Sequence, residues 1–361
     1  MATKSLFPQY VDKYFPSYVA SVSEKLNGRS LNNQIPFLFP DMLTPRFSAD
    51  GRWEAISASY TQVTADVVAL GSPVPLKSRD SLRTLVGDIP KIAVKRSLNE
   101  VELKNIDTMI AQNRPEADIV NRIFSDIPFV INAVDERIED LFLSLLSKGE
   151  GMATDNNNFA IRFGLSYPTG NQSGVRKVWS DSSAVPVDDI QDIMDKAEKT
   201  GGARFCYTDD TALKAMYTNT QVRGLFGFQQ NYVGGGSNVP NLSFMQLQQV
   251  FMNMWGIQLV RVARTTYTET NGMVNTHKAW KDGTMVFTRD ARVGDLVYTS
   301  TVEESRPVAG VAYQMANPYC LVSQYSEQEP YVEFTKAQAM VVPIVNNVDA
   351  IYTLDTKTAN A

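Results

Sequence analysis

Residues 115–148 read PEADIVNRIFSDIPFVINAVDERIEDLFLSLLSK, and their apolar side chains recur at helical spacing. Steps of three or four residues separate the members of the main apolar stripe, which are Ile119, Ile123, Ile127, Ile131, Val134, Ile138, Leu141 and Leu145. This period is that of a helix and not of a strand, where alternate residues share a face. We therefore predict a spine helix over 115–148, with a length of about 50 Å at about 1.5 Å per residue.

The ends and the middle of this spine carry signals of their own. Pro115 suits the first helical position, where no backbone N–H is needed, and Glu116 places negative charge near the positive helix end. Lys148 followed by Gly149 is typical of a last turn and its cap. Pro128 removes one hydrogen bond, so we expect a bend there. Two other interpretations stay open: an ordinary long core helix, or two helices broken at Pro128.

Composition limits the class of protein. The chain has 361 residues, of which 43% are hydrophobic, so a substantial core and two domains are possible. A net charge of −5 predicts no broad basic surface and argues against sequence-specific nucleic-acid binding. The N-terminus lacks the apolar core of a signal peptide, and no window approaches the length of a membrane span. We therefore expect no membrane association.

The N-terminal residues 1–50 are rich in aromatic residues and proline, and we interpret them as an arm. A short helix over 17–27, with Ser17 as its N-cap and Gly28 beyond its end, is expected to precede extended chain. The arm is too apolar for a free tail. It should therefore lie on another surface, either its own or a neighbour's.

Residues 51–97 predict a long β-hairpin, in which two apolar segments flank a Pro-rich middle from Gly71 to Gly87. A two-stranded ribbon is barely stable alone in water, so a projecting one needs a surface to lie on. We expect residues 60–92 to bury more area against a neighbouring subunit than against their own. The alternative is a hairpin packed on its own domain.

Helical and strand patterns alternate after the spine. Helical spacing runs from Pro186 to near Gly201 and again from Phe244 to Met254, with a Gly, Asn and Gln loop over 227–241 between them. Short strand patterns surround these helices, which predicts an α/β subdomain from about 186 to 322. Three C-terminal strand patterns are expected to pair near the spine: 331–334, 339–344 and 350–352.

No arrangement in the sequence predicts a catalytic, cofactor-binding or metal site. His277 is the only histidine, so a multi-His metal site is excluded and any Ser-His-Asp arrangement would have to use it. It occurs outside any motif, in a predicted loop or strand edge, which favours a structural role. Cys206 and Cys320 are far apart and are interpreted as buried apolar side chains in a reducing compartment. Gly234-Gly235-Gly236 lacks the Gly-Lys-Ser/Thr of a phosphate-binding loop.

Two charged groups are interpreted as solvated surface. The acidic group lies near one predicted helix start, where it favours the helix N-terminus, and comprises Asp188, Asp189, Asp192 and Asp195. The basic group is too short for a nucleic-acid footprint and comprises Lys91, Lys95 and Arg96.

Four segments, in this order, are similar to those of a known family: Asp88–Leu98 with Glu102-Leu103; Glu139–Gly149; Trp179-Ser180-Asp181 before Pro186; and Glu329–Ile344 with Asp349-Ala350-Ile351. The chain resembles the major capsid proteins of tailed phages, which share the Hong Kong 97 fold, and among them the lambda-type capsid protein E family. The aromatic residue usual after the family's hairpin proline is absent at Pro90-Lys91-Ile92. The resemblance covers nearly the whole chain.

The resemblance implies an α+β, Hong Kong 97-like capsid fold with four parts. These parts are an N-terminal arm, 1–50; an extended β-hairpin called the E-loop, 51–97; a peripheral domain, 98–185 and 323–361, with the spine helix 115–148; and an α/β axial domain, 186–322.

The resemblance also implies a function without a catalytic residue or a cofactor. Subunits would assemble as pentamers and hexamers into the icosahedral head shell that encloses the double-stranded DNA of a tailed bacteriophage. The implied partners are copies of the chain itself, a scaffold, a portal, a decoration protein and, non-specifically, the packaged DNA. The implied location is the virion, after assembly in the host bacterial cytoplasm. Two alternatives stay open: an encapsulin-like shell around a cargo enzyme, and an enzyme with its substrate in the α/β subdomain.

Overall fold

The computed structural model describes residues 4–26, 28–29, 31, 35–58, 82–154, 160–164, 167–229, 240–270 and 273–360, and their mixture of helices and strands confirms the predicted α+β class. The helices of this part are α1 Pro8–Leu26, α2 Phe39–Met42, α3 Glu100–Ala111, α4 Glu116–Ile123, α5 Ile127–Lys148, α6 Pro186–Glu198, α7 Asp210–Thr218, α8 Thr220–Gln229, α9 Phe244–Trp255 and α10 Val302–Ser305. The strands are β1 Leu43–Phe47, β2 Arg52–Ala58, β3 Leu82–Asp88, β4 Lys91–Leu98, β5 Glu150–Thr154, β6 Ala160–Gly164, β7 Gln172–Val175, β8 Phe205–Thr208, β9 Gln258–Arg261, β10 Thr266–Thr270, β11 Met273–His277, β12 Thr284–Thr288, β13 Gly294–Thr299, β14 Ala312–Asn317, β15 Cys320–Gln328, β16 Tyr331–Val345 and β17 Tyr352–Ala359.

Helix covers most of 115–148, as predicted, but it is divided into two helices, α4 and α5, instead of forming one bent rod. The break lies at 124–126, where Ile127 donates its N–H to the Phe124 carbonyl at 3.1 Å. Pro128 is thereby the second residue of α5, inside the first turn, where its missing N–H costs no helical bond. If α4 continued without a break into α5, the Pro128 ring would clash with the Phe124 carbonyl four residues earlier. Helix α5 alone is about 33 Å long at about 1.5 Å per residue.

The predicted ends of the spine are nearly correct. Pro115 stands one residue before α4, with φ −50° and ψ 133°, and not at the first helical position. Gly149 has φ +74° and donates its N–H to the Leu145 carbonyl at 2.9 Å, which confirms the predicted cap of α5.

Helix α1 begins at Pro8 and not at Ser17, although it ends before Gly28 as predicted. Pro16 lies inside it, which costs about 3 kcal/mol. Burial of four apolar side chains at about 1.5–3 kcal/mol each outweighs that cost. These side chains are Val11, Phe15, Val19 and Val22.

The chain divides into two compact units. The first contains Met1–Trp53, Gly87–Phe142 and Asp295–Ile344, and the second contains Glu54–Val86, Leu143–Gly294 and Val345–Ala361. The predicted division into arm, E-loop, peripheral domain and axial domain is a different assignment and stays a prediction.

The first unit is built on a six-stranded sheet with the order β1-β13-β16-β15-β14, in which β4 also pairs with β16. Helix α1 packs on β14, and the Ser23 hydroxyl donates to the Ala316 carbonyl at 2.9 Å. The ring of Phe15 lies 5.9 Å from that of Phe124. The described part of the predicted arm therefore lies on its own chain.

The second unit contains a five-stranded mixed sheet with the order β7-β17-β12-β8-β9. Strand β12 is antiparallel to both β8 and β17, while the outer pairs β7–β17 and β8–β9 are parallel. All five residues of β12 are buried, as expected of a central strand. The core between this sheet and its helices includes Trp179, Ile190, Ile193, Leu213, Met216, Leu247, Phe251, Phe287 and Leu354.

Three other predictions need correction. The C-terminal strands do not stay together, because β16 joins the first sheet while β17 lies between β7 and β12 in the second. Strands that pair with partners far away in the sequence carry no local signal of which partner they take. The predicted loop over 227–241 begins inside α8, whose apolar pattern is interrupted by Gly224 and Gly227 and therefore does not predict a helix. The sequence pattern also predicts a strand over Val175–Trp179, but β7 ends at Val175.

Three two-stranded sheets complete the described part: β2–β3, β5–β6 and β10–β11. The first of these confirms a hairpin at the base of 51–97, whose residues 59–81 lie outside the described ranges. Strand β4 leaves that hairpin and pairs with β16 from Lys91 to Leu98. Whether residues 60–92 lie on a neighbouring subunit stays a prediction.

Candidate functional surfaces

His277 is the last residue of β11, and its side chain is exposed. Its carbonyl accepts the Thr266 hydroxyl at 3.1 Å, and the two residues pair in the β10–β11 register. This confirms the predicted strand-edge position. The contacts of the backbone here are those of an ordinary hairpin.

Both cysteines are buried and free, as predicted. Burial raises the pKa of the Cys206 thiol and of the Cys320 thiol well above the usual value, because the thiolate would lose its solvation. A thiol kept protonated in a core is a poor nucleophile. The two side chains therefore act as packing groups.

Two members of the acidic group at the start of α6 form ion pairs with one arginine. Asp188 and Asp192 lie 3.5 and 2.7 Å from the Arg176 guanidinium. Asp189 is buried and accepts the Trp179 indole N–H at 2.9 Å and the Arg176 backbone N–H at 3.1 Å. Asp188 and Asp189 lie in the first helical turn, as predicted, whereas the burial of Asp189 was missed. Among the described residues, no group of three or more potential ligands is arranged to hold a metal ion.

The short basic group of β4 is exposed, as predicted, and is engaged within its own unit. The Arg96 guanidinium lies 3.4 Å from the Phe129 ring centroid and 3.4 Å from the Asp126 carboxylate. The Lys95 ammonium lies 4.5 Å from the centroid of Phe334. Gly234-Gly235-Gly236 lies outside the described residues.

A polar stripe on α5 holds the N-terminal segment in the first unit. It consists of Asn132, Asp135 and Glu139, all buried and spaced three and four residues apart, so they share one helix face. Asn132 accepts the Leu31 N–H at 2.9 Å, and Asp135 accepts the Tyr319 hydroxyl at 3.0 Å.

Glu139 is the most buried member of this stripe. Its carboxylate accepts the N–H groups of Leu38 and Phe39, both at 3.0 Å, at the start of α2. Free N–H groups at a helix start attract negative charge, so Glu139 serves as a cap supplied from a distant helix. This role leaves no signal in the sequence, because acidic residues at helical spacing are typical of an exposed face.

A second buried carboxylate, Glu333 on β16, fixes the first described residues. It accepts the Ser5 hydroxyl at 2.5 Å and the Leu6 N–H at 2.9 Å. The Ser326 hydroxyl donates to the Lys4 carbonyl at 2.7 Å. Burial raises the pKa of Glu333, although its hydrogen bonds with Leu6 and Ser5 oppose that shift.

Several large apolar side chains are exposed in the second unit. Phe228 on α8 is 83% exposed, and Met245 and Met252 on α9 are 78% and 52% exposed. On the β10–β11 hairpin, Met273 and Val274 are 73% and 65% exposed. Exposed apolar groups at this density are typical of surfaces that contact another molecule. Within the described ranges, no helix combines the length and the apolar character that crossing a membrane requires.

No family model and no curated protein matches the chain. Solved structures, in contrast, match the chain. One is a protein described as the capsid protein of a prophage (E. coli CFT073), at 14% identity and a TM-score of 0.58, over 98% of this chain and 99% of that one. Another is a phage-related protein from Bordetella bronchiseptica RB50, at 9% identity and a TM-score of 0.52, over 96% and 98% of the two chains.

The likeness therefore extends over nearly the whole of each chain and includes both units described above. The closer resemblance to the lambda-type capsid protein E family stays a prediction. The chain has the Hong Kong 97-like fold of tailed-phage capsid proteins, as its sequence predicted.

Proposed function

We propose that this chain is the major capsid protein of a tailed bacteriophage. Its subunits assemble as pentamers and hexamers into an icosahedral head shell, which encloses the double-stranded DNA genome. The observation that carries this proposal is the likeness to a prophage capsid protein over 98% of the chain.

The surface of the chain supports this proposal. Apolar side chains are exposed in both units, including Val101 and Val302 in the first and Phe228 and Met245 in the second. Burying such groups against neighbouring copies links assembly to stability. The net charge of −5 suits a wall that contains DNA without binding it tightly.

The partners and location follow from this role. They are other copies of the chain, a scaffold, a portal and a decoration protein, with non-specific contact to packaged DNA. The mature location is the virion, after assembly in the host cytoplasm. No step of this role needs a catalytic residue, so we propose that the chain is not an enzyme.

Sedimentation velocity and negative-stain microscopy of the purified chain test the proposal. We expect megadalton particles with a thin protein wall. A chain that stays a monomer or a small oligomer at every protein concentration would contradict the proposal and would favour the enzyme alternative.

The contents of particles from infected cells separate the two kinds of shell. We expect double-stranded DNA that resists added nuclease until the particles are opened. Particles that hold a folded enzyme and no DNA would contradict the genome-enclosing role and identify an encapsulin-like cargo shell.

A further inference from the structure

The first unit contains a cavity of about 480 Å³ that none of the roles described above uses. It lies between the second half of α1, the start of α2, the first half of α5 and the turn that joins β14 to β15. Pockets that bind small molecules have volumes of about 300–1,000 Å³. The cavity is therefore large enough for a small organic ligand, and its lining indicates which chemistry that ligand needs.

The two hydroxyl groups at the polar end of the cavity have already donated their protons. The Ser23 hydroxyl donates to the Ala316 carbonyl at 2.9 Å and to Asn317 Oδ1 at 2.8 Å. The Tyr319 hydroxyl donates to Asp135 Oδ1 at 3.0 Å. Burial and the Asp135 charge raise the pKa of Tyr319, so it keeps this proton. Since each hydroxyl has a single proton, both offer a ligand only their lone pairs.

Negative charge lines the cavity at two depths. Asp135 is 6% exposed, whereas Glu24 is an exposed residue. The described lining contains no lysine, arginine or histidine. A carboxylate has about four acceptor positions, so Asp135 can accept a hydrogen bond from a ligand while it keeps the one from Tyr319. This lining favours a ligand that donates hydrogen bonds and carries positive charge.

Much of the remaining wall is apolar. It includes Leu26, Phe39, Pro40, Ile131 and Met315. A divalent metal ion needs several oxygen ligands and gains nothing from such a wall. Each CH₂ group of an alkyl stem, in contrast, gains free energy when it leaves water for an apolar surface. The wall therefore favours an organic cation over a metal ion.

We propose that this cavity binds an alkylamine, with its ammonium group at Asp135 and its carbon stem on the apolar wall. An ammonium group has three N–H donors and no acceptor, which matches a lining of acceptors. The inference does not rest on the proposed capsid function. A bound amine contacts α1, α5 and the β14–β15 turn together, so its binding also stabilises the attachment of α1.

Titration calorimetry and thermal unfolding with n-butylamine, which is a cation at pH 7, test the proposal. We expect saturable binding and a Tm that rises with the amine concentration. n-Butanol and butyrate provide a similar stem without charge and with the opposite charge. Both should bind at least about tenfold more weakly, because they lose the charge-assisted hydrogen bonds. Calcium chloride should not compete with the amine.

A second probe separates the two sources of an alkylammonium group. Nα-acetyl-lysine amide carries this group on an amino-acid side chain. Tighter binding of this probe than of n-butylamine would assign the site to a lysine side chain of another chain, and the reverse order would assign it to a free amine. Both orders support the inference.

Three variants locate the binding. Asp135→Asn is close in shape to the wild type and removes the charge, so n-butylamine should bind at least about tenfold more weakly. Ala20→Phe places a ring in the cavity from an exposed position on α1, and should block binding without disturbing the core. Asp107→Asn, exposed on α3 and outside the lining, is the control and should bind as wild type.

Circular dichroism confirms that each variant is folded. If Asp135→Asn does not fold, Ala20→Phe and the exposed Glu24→Gln carry the test, and both should weaken binding. Equal binding of n-butylamine and n-butanol would overturn the inference. Binding to Ala20→Phe as tight as to wild type would also overturn it, because the amine would then lie elsewhere. Displacement of the amine by calcium would assign the carboxylates to a metal ion instead.

Discussion

Glu139 links α5 to a segment about one hundred residues earlier in the chain, so its substitution should weaken the backbone hydrogen bonds of that segment. Glu139→Ala leaves the buried N–H of Phe39 and the partly buried N–H of Leu38 without their acceptor, which for a buried group costs about 1–3 kcal/mol. We expect their amide hydrogens to exchange at least about tenfold faster, since a factor of ten corresponds to about 1.4 kcal/mol. Glu139→Gln keeps one acceptor oxygen, so its exchange rates should lie between those of wild type and those of Glu139→Ala. Asp118→Asn, at an exposed position on α4, is the control. Unchanged exchange in Glu139→Ala would contradict the capping role.

Glu333 should make the attachment of residues 4–7 depend on pH. Burial raises the pKa of this carboxyl in the folded chain, so the fold holds the proton more tightly than the unfolded chain does. The resulting stabilisation is complete below the unfolded value of about 4.3 and is lost as pH rises through the folded value. We expect the amide hydrogens of Leu6 and Phe7, corrected for intrinsic rates, to become more protected as pH falls through the folded value toward about 4.3. Glu333→Gln should remove this dependence; an equal dependence in the variant would exclude Glu333 as its source.

His277 is expected to be dispensable. Its side chain is exposed at the end of β11, and a surface substitution of this kind changes stability by about 0.5 kcal/mol or less. We therefore expect His277→Ala to leave particle yield and DNA retention within about twofold of wild type. Both are measured on purified particles. Normal shells with a complete loss of infectivity would reveal a chemical or recognition role for this residue.

At the scale of elements, the break between α4 and α5 should not depend on Pro128 alone. Phe124 begins the turn at 124–126 and Ile127 follows it, and both side chains are fully buried. Since Pro128 breaks no helical hydrogen bond where it lies, Pro128→Ala should change the free energy of unfolding by less than about 1 kcal/mol. Ala133→Pro, in the interior of the same helix, should cost about 3 kcal/mol or more. Denaturant titration compares the two. A large effect of Pro128→Ala would assign the break to the proline.

The elements that the sequence predicted well are those with a continuous apolar stripe. Helices α6 and α9 each bury one face, as their spacing predicts, and α5 buries its predicted stripe together with its other sides from Ile138 to Ser147. Helix α8 lacks such a stripe and was missed. The place of β17 in the second sheet could not be predicted, because β7 and β12 are its partners only after the whole chain has folded.

The candidate surfaces were harder to predict than the elements. Met245 and Met252 lie at helical spacing, which in a sequence looks the same as a buried stripe. Only their exposure, at 78% and 52%, shows that they face away from the core. Glu139 and Glu333 have the opposite difficulty, because acidic residues are normally exposed and these two are buried. Tertiary packing decides which side chains are buried. A single sequence therefore predicts poorly both the apolar residues that stay exposed and the acidic residues that become buried.

At the scale of the whole molecule, the fold is retained at 14% identity over nearly the full chain. What such distant sequences share is a pattern of burial, which many different side chains satisfy. In the proposed role, a shell subunit must also keep part of its apolar surface uncovered until neighbouring copies bind. The exposed apolar residues of the described ranges are what that role would require.

The predicted hairpin should therefore matter for assembly more than for folding. Val67 belongs to the part of it outside the described residues, so this prediction rests on the sequence: an apolar ribbon that projects must be buried on a neighbour. Val67→Asp places a charge in that contact, where an unpaired buried charge costs several kcal/mol. We expect assembled particles to be lost, while the thermal unfolding of the isolated subunit stays within a few degrees of wild type. Val67→Thr, similar in shape and uncharged, should assemble to an intermediate extent. If Val67→Asp instead unfolds the subunit, the hairpin packs on its own domain, and the contact between neighbours must be sought elsewhere in the chain.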